Sequence, residues 1–272
     1  MNGWRVITAS VRGSQHLRLQ KPNQDAIGYW QSGIATPLIL AVADGHGSQR
    51  YFRSEIGSQL AVKATLSVLR DFIKHQEYPY HLSAIKRLAE EKLPQRLVRL
   101  WEKYVRGHCA KNPFSALERE LLEKRLETVA YGSTLLAVLV TEAFIIYWQL
   151  GDGDILSVLP SGEVERPLPA DERLLGNETT SLCLKQAWQE FRFRFQVLEE
   201  VLTPQLILLA TDGYAISFRS EANFRLAASD FHKMLVIDKD IAEVEQQLPQ
   251  WLDESSQKSG DDISVGICQL IL

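Results

Sequence analysis

Aspartate recurs in this chain where several apolar runs stop or start. The run 38–43 gives way to Asp44-Gly45-His46-Gly47, the run 145–150 to Gly151-Asp152-Gly153-Asp154, and Leu206–Ala210 to Thr211-Asp212-Gly213. Asp261-Asp262 stands just before the last apolar run, and Asp25 before another strand-like segment. One Asp or Gly at a strand end is ordinary turn chemistry. A repeated pattern has another reading if the strand ends converge. Carboxylates crowded into one volume repel until they take up a proton or a cation. Oxygen-only ligation selects hard divalent ions such as Mg²⁺ and Mn²⁺. The chemistry such a site could do is metal-assisted hydrolysis, in which paired cations activate water and no protein nucleophile is needed.

Other chemistries find less support. Cys109, Cys183 and Cys268 are far apart and have no Cys-x-x-Cys spacing, so neither a disulfide nor a thiolate zinc site is expected. Each reads as a small hydrophobe. The 272 residues carry a formal net charge of -4 with no basic stripe, which argues against nucleic acid as a partner. Acidic and aromatic residues interrupt the mildly basic run 185–194. The N-terminal residues lack a signal-like apolar core, and the most apolar stretch, 133–150, is split by Thr141-Glu142. No membrane association and a cytoplasmic location are therefore expected.

The elements that must position these aspartates can be read from periodicity. Residues 4–11 alternate, and 37–43 is a continuous apolar run suited to a strand covered on both faces. Ile56, Leu60, Ala64, Val68 and Phe72 recur every four residues, the buried face of a long helix with Ser54 as a candidate N-cap. A second helix spans 85–104, with Pro94 expected to kink or break it, and a third covers 117–126. Residues 133–140 and 143–150 resemble a hairpin, 155–159 and Leu206–Ala210 read as strands, and Phe191 to Phe195 alternates as a strand with one wet face. A helix over 241–252 and a strand over 263–272 close the chain. Strands first, helices in the middle and strands last predict an α+β sandwich of antiparallel sheets with helices outside, in one domain.

The ordered set Arg12-Gly13-Ser14-Gln15-His16, Asn23-Gln24-Asp25, Val42-Ala43-Asp44-Gly45-His46-Gly47, Gly132-Ser133-Thr134, Leu150-Gly151-Asp152-Gly153, Leu209-Ala210-Thr211-Asp212-Gly213 and Gly260-Asp261-Asp262-Ile263-Ser264 resembles the type 2C metal-dependent serine/threonine protein phosphatases, in particular their bacterial branch. The resemblance covers about residues 5 to 270. It implies a four-layer α-β-β-α sandwich with a metal site at one end, holding two Mn²⁺ or Mg²⁺ ions and room for a third. Asp44 would bridge the two ions, the Gly45 carbonyl would bind the second, and Asp212 and Asp261 would hold the first. Asp25 would position a metal-bound water. Asp152, with Asp212, would hold the third ion, and Asp262 would support the ligands. The hydroxide shared by the metals would attack phosphorus, with His46 as acid to the leaving alkoxide or, alternatively, as a ring that orients a ligand carboxylate. The expected partner is a phosphorylated protein, the product of an opposing serine/threonine kinase.

Departures from the family pattern are as informative. Where many relatives carry a phosphate-gripping arginine this chain has Gln20, and Arg18, Lys21 or His16 could substitute or be merely solvated. The Gly-Asp step continues Gly153-Asp154 rather than Ser-Arg. The family's flap should fall over 160–191, with 174–180 as a bacterial subgroup's version. A phosphatase-fold adaptor lacking turnover is the alternative reading. A two-metal phosphodiesterase or nuclease is a third, disfavoured by six histidines in no ligand spacing.

Overall fold

The computed structural model of the protein describes residues 3–33, 35–76, 81–123, 125–169, 171, 179–198 and 202–271. Ten strands among them form two antiparallel sheets: β1 (Gly3–Val11), β2 (Ala26–Ser32), β3 (Ala35–Ala43), β4 (Leu135–Val140), β5 (Phe144–Leu150), β6 (Asp154–Val158), β7 (Val164–Glu165), β8 (Arg192–Val197), β9 (Leu206–Ala210) and β10 (Ile263–Ile271). One sheet has the order β1-β10-β9-β6-β7 and the other β2-β3-β4-β5-β8. The helices are α1 (Ser14–Arg18), α2 (Ser54–Lys74), α3 (Leu82–Glu91), α4 (Leu93–Lys111), α5 (Ala116–Leu122), α6 (Asp212–Ile216), α7 (Glu221–His232) and α8 (Ile241–Ser259).

Side-chain alternation produces the layers. From β3, Leu38, Leu40 and Val42 enter the space between the sheets with Val138, Ile207 and Leu209. Their neighbours Ile39, Ala41 and Ala43 face the other way, onto Leu69, Phe72, Leu97 and Trp101 of α2 and α4. On the far side, Ile7, Leu208 and Ile267 pack against Phe224, Leu248 and Leu252 of α7 and α8. A strand with apolar partners on both faces must read as an unbroken apolar run. The result is the expected four-layer α-β-β-α sandwich. Trp101 is fully buried, and its Nε1–H donates to the Gly57 carbonyl at 3.0 Å, fixing α4 across α2. Truncating it to Ala would cost about 3–5 kcal/mol.

Strand register gathers the aspartates. The terminal rungs of the ladders pair Val11 with Ile263, Ala210 with Val265 and with Asp154, Ala26 with Ala43, Val42 with Leu136, and Leu135 with Leu150. Chain leaving β1, β3, β5 and β9 therefore emerges beside chain entering β2, β4, β6 and β10. Every Asp motif lies on one of those segments.

At Pro94 the helix breaks, one of the two expected outcomes: α3 stops at Glu91, and Pro94 sits in the first turn of α4, where a missing N–H is harmless. Other local expectations need correction. Ser54 is the first residue of α2 and not its cap; its hydroxyl accepts from Gln24 Nε2 at 2.8 Å. The third helix is shorter than expected, ending at Leu122 before a 3₁₀ turn over Glu127–Tyr131. In β8 only Arg194 is exposed, because Phe193 and Phe195 pack on the helix layer while the edge covers the rest incompletely. Helices α6 and α7 escape the periodicity reading. Of the flap, the structure describes β7 and a 3₁₀ turn over Ala187–Gln189, and 174–178 lies outside the described residues.

Candidate metal centre

Asp262 ties the two ends of the chain together beneath the site. It is buried, its Oδ1 accepts the Gly13 N–H at 2.5 Å, and its Oδ2 accepts the Gln24 N–H at 2.6 Å and lies 2.9 Å from His16 Nδ1. Gly213 closes against this segment so tightly that a Cβ would collide with the Asp262 carbonyl. Thr211 is a second tie. Its hydroxyl donates to Asp25 Oδ2 at 2.8 Å and accepts the Ser264 N–H at 2.9 Å, joining β2 to the opposite sheet. A third tie holds the Asp44 backbone: its N–H donates to Thr134 Oγ1 at 3.1 Å, and its carbonyl accepts the Thr134 N–H at 2.8 Å. At Gly45 a Cβ would meet the carbonyl oxygens of Gln24 and Ser54 at 2.6 and 2.7 Å, so only glycine fits that turn.

Within this frame Asp25, Asp44, Asp212 and Asp261 influence one another. The Asp44 and Asp212 carboxyls face each other closely enough to share a proton, and Asp261 acts on both across the site. Burial, then the Asp25 and Asp212 charges, hold Asp44 well above the usual carboxylate range. Burial, then Asp262, does the same to Asp25. Asp212 is pushed up to about 6 by burial and by the neighbouring Asp152. Burial also raises Asp261. Among the described residues no three acidic, histidine or cysteine side chains form a closed coordination shell.

The donor set nevertheless suits hard divalent cations. It is made of oxygens alone, and among the described residues two buried oxygens, Asp25 Oδ1 and Asp212 Oδ1, have no hydrogen-bond partner. Exposed Asp152 lies within electrostatic reach of Asp212 and Asp261.

The other predicted residues take distinct places. His46 leans on Tyr51, with ring centroids 4.7 Å apart, and burial followed by the Arg50 charge lowers its pKa to about 4. A neutral imidazole donates through one nitrogen and accepts through the other, so the ring can orient a neighbouring group. His16 is buried against Asp262, which raises its pKa, and is not brought forward as a phosphate grip. Exposed Arg18 donates its Nε–H to the Ser14 carbonyl of its own turn at 3.2 Å. Lys21 alone of the three reaches the Asp44–Gly47 loop, donating to the Gly47 carbonyl at 3.3 Å. Exposed Gln20 sits in the left-handed region at φ 55.

Sequence reasoning did not single out Thr211, Thr134 or Arg50. The first two stand inside motifs already noted for their aspartates, so a side-chain acceptor next to each ligand was the available signal. Nothing in the spacing marks Arg50. All three cysteines are free. No helix of the described residues is long and apolar enough to cross a membrane.

Comparison with known proteins follows the same lines. A sequence profile described as Protein phosphatase 2C matches residues 12–253. No curated protein sequence matches. Among solved structures, the catalytic domain of the serine/threonine protein phosphatase PstP in complex with two manganese ions superposes with a TM-score of 0.59 at 18% identity, covering all of both chains. The serine/threonine phosphatase Stp1 from Staphylococcus aureus gives 0.60 at 14%, over 99% of this chain and 95% of that one. PppA, a type VI secretion regulatory component in Pseudomonas aeruginosa, gives 0.59 at 17%, over 99% and 98%. At such identities the likeness is one of fold.

Proposed function

Because this chain belongs to the protein phosphatase 2C family, we propose that it hydrolyses phosphoserine and phosphothreonine in proteins, using two Mn²⁺ or Mg²⁺ ions at the aspartate end of the sandwich. The observation that carries this reading is the oxygen-only cluster, half-buried at Asp44 and Asp212, with buried and unpartnered atoms on Asp25 and Asp212. Asp44, the Gly45 carbonyl, Asp212 and Asp261 would hold the two ions, and Asp152 would serve a third. When bound, such ions offset the charge of a phosphomonoester dianion and lower the pKa of water toward neutrality.

The chain's own residues do the rest. Asp25, pinned by Thr211, orients the attacking water through its free oxygen. Asp262 and Thr134 hold the ligand-bearing loops in place, so that the geometry exists before substrate arrives. His46 orients the neighbouring ligand or the leaving oxygen as a neutral ring. Lys21, beside the Asp44–Gly47 loop, is the nearest of the predicted cations to take the place left by Gln20. The test is phosphate release from a phosphothreonine peptide with Mn²⁺, Mg²⁺ and chelator, beside Asp44→Asn. Turnover only with divalent metal and only in the unmodified chain is expected. No turnover with any divalent ion overturns the reading.

One observation favours a second reading. Gln20 stands where many relatives carry a phosphate-gripping arginine, a loss that a non-catalytic adaptor of the same fold would tolerate. Calorimetric titration with Mn²⁺ separates the two, since an adaptor should take up little metal.

A further inference from the structure

The end of the sandwich opposite the aspartates carries a groove of about 800 Å³. Pro37 on its wall and Asp44 at the active centre mark the two ends of β3 and its exit, roughly 23 Å apart for extended chain. Trp30 of β2, Leu66 of α2 and Tyr104 of α4 give it an apolar, aromatic floor. Lys63, Arg70 and Lys74 form a cationic rim. On α2 these three lie on the helical stripe turned away from the buried residues Ala61, Val68 and Phe72.

The rim is unusual in its pairing. Among the described residues, Lys63 Nζ lies 5.0 Å from the centroid of Tyr104 and the Arg70 guanidinium 4.9 Å from that of Trp30, and neither cation has a carboxylate partner. Asp71, the carboxylate on the rim, is held by Arg96 at 2.7 Å. A positive face therefore stands on a chain whose acidic residues outnumber its basic ones, 34 to 30. Cations laid on ring faces are oriented before any ligand arrives, so less side-chain freedom is lost on binding. An apolar floor bounded by unpaired cations is complementary to carboxylates flanking one apolar side chain.

We propose that this groove docks an acidic peptide segment of a partner protein, which places an aromatic or branched aliphatic side chain on the Trp30–Tyr104 floor and carboxylates on Lys63, Arg70 and Lys74. A nucleic acid would need a longer basic track for its regularly spaced phosphates. The site stands independently of the phosphatase reading, because it lies at the other end of the molecule and is tested by binding alone.

The experiment is fluorescence anisotropy with a labelled octapeptide in which glutamates flank a central phenylalanine. Saturable micromolar binding is expected, weakening as NaCl is raised. The paired substitution Lys63→Glu with Arg70→Glu should weaken it about tenfold or more. Replacing the peptide's phenylalanine by alanine should also weaken it. Both protein substitutions are at exposed positions, and an unchanged melting temperature checks that the variant is folded. Absence of saturation at millimolar peptide overturns the proposal, as does equal binding by the folded double variant. Tighter binding of a single-stranded oligonucleotide, lost in the same variant, would assign the groove to nucleic acid and overturn it too.

Discussion

Two groups of acidic residues adjoin each other at the working end of this protein, and they are treated differently. Asp154 and Glu221 have guanidinium groups supplied by the chain. Arg166 bridges Asp154 and Glu221, reaching the latter at 2.8 and 3.1 Å, and Arg225 Nε donates to Glu221 at 2.9 Å. Among the described residues, Asp25, Asp44 and Asp212 have no such partner, although they are more crowded. Glu221 is held below the usual carboxylate range by Arg166, whereas Asp44 and Asp25 stand well above it. Asp154 is intermediate, since burial outweighs the pull of Arg166 and raises it. The difference teaches that the fold answers crowded negative charge where it is structural. Where the described residues supply no cation, the proposed metal ions would provide the missing charge.

The sharpest challenge to that distinction is paired mutagenesis. Asp44→Asn should reduce Mn²⁺-dependent phosphopeptide hydrolysis on the order of a thousandfold, because several kcal/mol of transition-state charge stabilisation is lost. Asp154→Asn, in the compensated group, should leave turnover within about threefold while lowering stability by the few kcal/mol typical of a broken buried pair. Equal losses of turnover in the two variants would erase the contrast.

Stability offers the converse test. Arg166→Met strands Asp154 in the protein interior and should destabilise the fold by about 3 kcal/mol in urea titration. A shift below about 0.5 kcal/mol would mean the pair is not structural. Slightly smaller is the effect of cation in the uncompensated group. Mn²⁺ at about a hundred times its Kd should add about 2.7 kcal/mol, or roughly 5–10 °C in Tm, reversed by chelator and absent in Asp212→Asn. An equal Tm rise in that variant would place the ion elsewhere.

The smallest effect concerns a compensated carboxylate outside the aspartate cluster. Glu118 receives Arg53 Nε at 2.8 Å and Nη2 at 3.1 Å, and the hydrogen bond from Arg53 lowers its pKa from the ordinary 4.5 to about 2. A depressed carboxylate contributes stability above its unfolded pKa and loses it as pH falls through the folded one. The unmodified chain should therefore exceed Glu118→Gln by on the order of 1 kcal/mol at pH 6, after screening by solvent at this partly exposed pair. That margin should shrink between pH 4.5 and 2 in urea titrations. A margin constant with pH would assign the difference to packing rather than charge.

Much of this architecture is legible along the chain. Strands buried on both faces must be unbroken apolar runs, so 38–43 and Leu206–Ala210 announce themselves, and a residue that ends such a run must face solvent or a ligand. The helical stripe from Ile56 to Phe72 is visible for the same local reason. Periodicity could not supply the partners. Asp262 meets Gly13, His16 and Gln24 across sequence separations of 249, 246 and 238 residues, and Thr211 meets Asp25 across 186. His16 pairs with Asp262, a contact that its place in the sequence does not reveal, and nothing along the chain marks Arg166, Glu221 or the groove between β2, α2 and α4. Burial pattern is a local property, written in the order of side chains. Charge compensation is a property of distance, and distance between remote residues is set by strand register and by how the two sheets face each other.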